Sequence, residues 1–166
     1  MREWMDILSF MSDNSSLQLP ARSWLAKLKD DDRNVLASYG EFFPGRPGQP
    51  IINEGEIQTF LYFVVRGSLT VTRTTDKGVH VVGEIPSGES VGEMSVFDRL
   101  EAPASGTVTP NEFTQLWRIS QESLDRFLED NPVVANTMLI GLVGTLSNRI
   151  RKLNPLILST VEQIGE

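Results

Sequence analysis

The chain has no cysteine and a single histidine among its 166 residues. The first absence excludes disulfides and thiolate metal sites and agrees with a cytoplasmic protein. The second excludes the multi-histidine metal centres that some small β-barrels carry, because zinc and iron sites of that kind need several imidazoles. Long apolar runs are also missing. Phe60–Val65 and Met138–Val143 are the longest, far short of the ~20 residues that span a bilayer. The start, MREWMDILSFMSDNSS, lacks the basic end, apolar middle and small-residue cleavage site of a signal peptide. Neither a membrane nor a secretory route is expected. Positive charge is scarce too: 22 acids face 15 bases, for a net charge of −7. Nucleic-acid binding rests on clustered Lys and Arg that neutralise phosphates. The one dense basic stretch, Arg149, Arg151 and Lys152, reads as a complement to the negative end of a helix dipole. No nucleic-acid partner is expected.

What is present is ordinary for a globular domain with a real core: 40% hydrophobic and 22% charged residues. Trp4, Met5, Leu8 and Met11 space a short amphipathic helix over residues 1–12. Trp24, Leu25, Leu28, Val35 and Leu36 mark a helical stretch from Ala21 to Tyr39. Because Lys29–Arg33 interrupts the pattern, two short helices meeting at an acidic N-cap near Asp30 fit equally well. From Pro44 onward Gly and Pro punctuate the chain. Strands are predicted at Pro50–Asn53, Phe60–Val65, Leu69–Thr74, Val79–Ile85, Glu89–Gly92, Gly106–Thr109 and Thr114–Ile119. Many short strands joined by glycine turns read as a small sandwich or roll. Helix returns at Ser120, an N-cap, with Leu124, Phe127 and Leu128 on one side. Asn131-Pro132 opens a last long helix, expected to end at Asn154, before Pro155.

The fold class is therefore mainly β with flanking helices (α+β). Residues 1–43 form N-terminal helices, 44–119 a β-roll of jelly-roll type, 120–154 the C-terminal helices and 155–166 a short apolar tail, in one domain. Catalysis is not expected. Gly88-Glu89-Ser90-Val91-Gly92 satisfies G-x-S-x-G, but that motif needs a strand-to-helix elbow and a histidine later in the chain. Here His80 precedes Ser90, and it reads as the outward residue of an alternating strand.

Residues 92–108, GEMSVFDRLEAPASGTV, carry the most specific pattern. A Gly-Glu pair leaves a strand, a polar loop follows, and the small-residue strand Ser105-Gly106-Thr107-Val108 closes it. The stretch resembles the phosphate-and-sugar cassette of the cyclic nucleotide-binding domain family, of the catabolite activator effector type. Gly92, Glu93, Met94, Ser95 and Val96 fit its first half, and Ser105, Gly106 and Val108 fit its second. Gly48, Glu54-Gly55, the run Leu61–Val65 ending in Arg66-Gly67, and Gly88 extend the resemblance over residues 25–153. Ala104 stands where that family keeps its phosphate-binding arginine.

The resemblance implies a double-stranded β-helix roll, N-terminal helices, a long C-terminal helix and a regulatory, non-enzymatic signalling role. It implies a ligand site of Gly92, Glu93, Met94, Ser95, Ala104, Ser105 and Gly106, with Arg99 in the loop between. Glu93 would accept from a ribose hydroxyl, and backbone N–H groups at Met94 and Ser95 with the Ser105 hydroxyl would face phosphate. No cofactor is required, and cAMP or cGMP is the ligand implied, weakened by loss of the guanidinium. The long helix would form a homodimer through Leu139, Leu142, Leu146 and Leu153. Ending at residue 166, the chain is expected to carry no helix-turn-helix domain. Two readings remain open: a small-ligand sensor, and a domain without nucleotide binding that acts by contact with a protein partner or a second copy.

Overall fold

The computed structural model describes residues 17–98 and 102–164, with side chains described as far as Lys152. The predicted helix at residues 1–12, Arg99 and the side chain of Leu153 lie outside the described residues. A 3-10 turn at Ser23–Lys27 precedes α1, Asp30–Ser38. The split follows the acidic interruption: Asp30, Asp31 and Asp32 fill the first turn of α1, where negative charge meets the positive end of the helix dipole. Lys29 is the N-cap, and no side chain caps this helix.

Seven strands follow: β1 Glu41–Gly45, β2 Phe60–Arg66, β3 Ser68–Thr75, β4 Gly78–Pro86, β5 Ser90–Val91, β6 Thr107–Pro110 and β7 Thr114–Ser120. They make two antiparallel sheets, ordered β1-β7-β2-β5 and β4-β3-β6. The predicted strand at Pro50–Asn53 is reduced to one bridge, Ile52 to Val108, and that at Glu89–Gly92 to two residues. β1 was not expected, and it moves the start of the roll from residue 44 to Glu41. Its Pro44 lacks an amide donor but sits on the sheet's edge strand, where no ladder bond is lost on the outer side.

Strand β2 explains its own lack of alternation. Leu61 and Phe63 point into a lower core with Trp24, Leu25, Leu36, Trp117, Phe127 and Met138. Tyr62 and Val64 point between the sheets, with Ile52, Leu69, Val108 and Leu116. Both faces are dry, as its sequence predicts. By contrast β4 is a sheet edge, with Val79, Val81 and Val82 exposed alongside His80.

After β7, the Ser120 hydroxyl accepts from the Ser123 amide and starts α3, Gln121–Asp130. The short α2, Glu93–Asp98, lies between β5 and β6. The last helix, α4, runs Pro132–Ile164. It passes through Pro155, so the expected stop at Asn154 and the separate tail are corrected. Proline deletes one i→i−4 bond, a loss that the remaining bonds of a 33-residue helix absorb. By length and composition the segment Pro132–Lys152 matches a membrane span. Here Ala135, Met138 and Leu142 are buried in the domain's core.

Candidate functional site

Gly92 follows β5 at φ +93°, a conformation that favours glycine, and a β-carbon there would overlap the Phe60 carbonyl oxygen. The Gln58 side chain braces this point: its Nε2 donates to the Phe60 carbonyl, and its Oε1 accepts from the Phe60 amide. The turn swings Glu93 inward at the start of α2 and leaves Met94 facing solvent. On the far side of the cassette, Ala104 is fixed by two backbone bonds. Its amide donates to the Glu56 carbonyl and its carbonyl accepts from the Gly55 amide, both at 2.9 Å. Gly106 packs where a β-carbon would sit 2.8 Å from the Thr72 carbonyl oxygen.

Between these two halves lies a hollow of about 170 Å³. Gly92, Glu93, Met94, Ser95, Ala104, Ser105 and Gly106 all line it, so the residues singled out in the sequence come together around one cavity. Ile52, Val71, Val91 and Val108 supply apolar wall, and Gln58 and Asp98 add polar groups that the sequence did not single out. Among the described residues lining it there are two carboxylates, Glu93 and Asp98, and no Lys, Arg or His. The volume is below the ~300–1,000 Å³ of common ligand clefts. It suits a small ligand or one part of a larger one.

Glu93 is 6% exposed and already has partners. Its Oε1 accepts from the Ser90 hydroxyl at 2.7 Å and from Arg149 Nη1 at 2.9 Å. The same Ser90 hydroxyl accepts from the Trp24 indole at 3.1 Å. Arg149 also donates to Glu89 Oε2 and, at 2.7 Å, to the Ser90 carbonyl. Burial alone would lower the pKa of this guanidinium. The carboxylates of Glu93 and Glu89 more than offset that and hold it above its ordinary value. One arginine of the terminal helix thus holds two acids and a backbone carbonyl of the cassette side.

Ser90, the middle of the G-x-S-x-G match, is fully buried with its hydroxyl engaged on both sides. That is not the exposed nucleophile of an elbow. Arg149 was read from sequence as a dipole complement. The signal that would have distinguished it is its isolation: residues 132–148 carry no charge, and Arg149 is the first.

The predicted dimer leucines lie against the chain's own domain. Leu142 is 3% exposed within the lower core, and Leu139 and Leu146 pack half-buried against that core. With Phe97 and Met94 they line a separate apolar groove between α2 and α4.

The two-sheet roll with its flanking helices is a fold shared with known proteins. The model of the cyclic nucleotide-binding domain matches residues 45–131. The chain belongs to the cyclic nucleotide-binding domain family. A cyclic nucleotide-binding domain from Methylobacillus flagellatus superposes with a TM-score of 0.74 at 24% identity, over 80% of this chain and 74% of that one; at that identity the likeness is one of fold. The catabolite activator protein of Thermus thermophilus gives a TM-score of 0.70 at 26% identity, over 84% of this chain and 63% of that one. In sequence, the rice (Oryza sativa subsp. japonica) potassium channel KAT1 is 30% identical over 115 residues, which is 69% of this chain and 16% of the channel. The Pycsar effector protein XpPycTIR of Xanthomonas perforans is 28% identical over 129 residues, 78% of this chain and 40% of the effector. The chain thus spans less than half the length of the channel and of the effector.

Proposed function

We propose that the chain is a non-catalytic regulatory module that senses a small ligand in the hollow under the 92–108 cassette. Family membership supports the regulatory role and a cyclic nucleotide as the first ligand to test. The observation that carries the reading is the hollow itself, walled by both halves of the cassette. Glu93 would receive a ligand hydroxyl, Ser95 and Ser105 would contact the ligand's polar end, and Ile52, Val71, Val91 and Val108 would cover its flat face. Because Glu93 also holds Arg149, a ligand at Glu93 changes the electrostatic surroundings of the helix that carries Arg149. Occupancy would thereby reach α4.

Ala104 limits the phosphate side. A guanidinium gives a phosphate two charge-assisted bonds, at ~1.5–3 kcal/mol each. Without it a cyclic nucleotide binds weakly, in a protein whose overall field already repels anions. The acidic lining of the hollow favours the second reading, a module that has given up nucleotide binding and works by contact with another protein or a second copy.

Thermal melting with cAMP, cGMP and a cyclic dinucleotide separates the two. A ligand at 100 times its dissociation constant adds ~2.7 kcal/mol, a rise of several degrees for a chain of this size. A rise with one of them supports the sensor. No rise with any at millimolar concentration supports the contact module.

A further inference from the structure

The terminal helix turns Ala135, Met138 and Leu142 into the core and leaves Val133, Ile140, Val143 and Ile150 exposed on the opposite side. On a flank between these two faces, the 3-10 turn Ser23–Lys27 lies against the helix. Gly141 permits that approach: a β-carbon there would sit 2.9 Å from the Trp24 carbonyl oxygen and 3.3 Å from Lys27 Cγ. The Ser23 and Thr145 hydroxyls meet at 3.3 Å and tie the turn to the helix. Between turn and helix a pocket of about 350 Å³ remains open, and it shares no lining residue with the hollow under the cassette.

Its charge runs against that of the whole chain. Lys27, Arg149 and Lys152 line it against one acid, Glu89, in a protein whose net charge is −7. Arg149 already answers Glu89 and Glu93. Lys27 and Lys152 have no ion-pair partner among the described residues. The Asn148 side chain accepts from Arg151 through its carbonyl oxygen and so keeps its amide N–H groups to give. Two backbone features collect at the same place. Ser23, at φ 51°, is the only non-glycine residue with a positive φ among the described residues, and strain of this kind gathers at ligand clamps. Gly144 weakens its helix relative to alanine, yet a β-carbon there would meet nothing within 4 Å. Packing within the chain does not call for glycine at that point; an open pocket floor does.

The structure assigns this pocket to a small phosphate monoester. Such a group carries close to two negative charges at neutral pH and three acceptor oxygens. Three separate donors, the Lys27 and Lys152 ammonium groups and the Asn148 amide, match that set. The volume lies within the ~300–1,000 Å³ of small-molecule sites, and Trp24 and Ile140 in the lining offer apolar surface to a short organic body. The assignment is independent of what the hollow binds.

Thermal melting at constant ionic strength, with glycerol 3-phosphate at millimolar concentration and glycerol as the uncharged control, tests it. The wild type should gain several degrees with the phosphate and nothing with glycerol. Lys27→Gln with Lys152→Gln should keep the basal midpoint, since both side chains are exposed, and bind at least tenfold more weakly. Arg46→Gln with Lys77→Gln removes the same charge away from the pocket and should bind like wild type. Gly144→Leu should fill the floor and abolish the shift without lowering the basal midpoint. Ser105→Glu, which adds an acid to the hollow, should leave the shift intact. No shift in the wild type overturns the proposal, as does an equal shift in the Lys27/Lys152 variant. A shift lost in Ser105→Glu but kept in Gly144→Leu would place the phosphate in the hollow and also overturn it. Sedimentation with phosphatidate vesicles, in the absence of any glycerol 3-phosphate shift, would assign the site to a lipid surface instead of a soluble ligand.

Discussion

Arg149 Nη1 lies 2.9 Å from Glu93 Oε1, joining the terminal helix to the first residue of α2 across 56 positions of sequence. Glu93 is nearly enclosed, while Arg149 is about one-third exposed. The same guanidinium reaches Glu89 and the Ser90 carbonyl.

Removing Arg149 therefore leaves a buried carboxylate without its counter-charge. Arg149→Met should destabilise the fold by roughly 2 kcal/mol, less than the ~3–5 kcal/mol of a fully enclosed pair, and lower the thermal midpoint by about 4–8 °C. Arg149→Lys should recover less than half of that, because an ammonium cannot serve two carboxylates and a carbonyl in one plane. Melting curves of the two variants decide this, and equal midpoints for the Arg149→Lys and wild-type proteins would count against it.

Gly92 is held at φ +93° under the Phe60 carbonyl. Gly92→Ala should cost about 2 kcal/mol or more, combining backbone strain of ~1–3 kcal/mol with that overlap. Urea unfolding should show the midpoint fall at constant slope.

Both tyrosines titrate late. Burial pushes Tyr62 up, with Arg118 opposing it. A hydrogen bond donated to Asp130 raises Tyr39, with Asn131 opposing it. In each case the folded state keeps the proton longer than the unfolded chain. The associated stability is complete below the unfolded value of about 10 and is lost as pH rises through the folded value. Phenolate absorbance of the native protein should therefore develop at higher pH than that of the urea-unfolded chain; coincident titration curves would contradict the assigned environments.

Ala104 is pinned between Gly55 and Glu56 at the rim of the hollow. Ala104→Arg should strengthen cAMP or cGMP binding by at least tenfold, about 1.4 kcal/mol, without a comparable gain for the uncharged nucleoside. Calorimetric titration of both ligands reads the contrast.

Much of the fold was legible because the cues were local. Ser120 announced its helix with a side chain that does cap it, and the unbroken run of β2 announced burial on two faces. β1 was hidden because Phe42-Phe43-Pro44-Gly45 carries two strand breakers, tolerated only at a sheet edge. The end of α4 was misplaced because a proline weakens a helix without obliging it to stop. The cassette residues were legible as a set through the family resemblance, and the fold brings them around one hollow. Arg149 was not: its role depends on a helix returning across the roll, which no local spacing encodes. The leucines of α4 were the more conspicuous stripe in sequence, yet hydrophobicity alone cannot say which of two apolar faces meets the core.

The most direct measurement compares wild type with Glu93→Gln in the same nucleotide titration, read as the ligand-induced change in thermal midpoint. That difference cancels whatever the substitution does to basal stability. A rise of several degrees in the wild type that is lost in Glu93→Gln is the predicted result. An equal rise in both proteins would remove Glu93 from the ligand site, and with it the account given of the cassette.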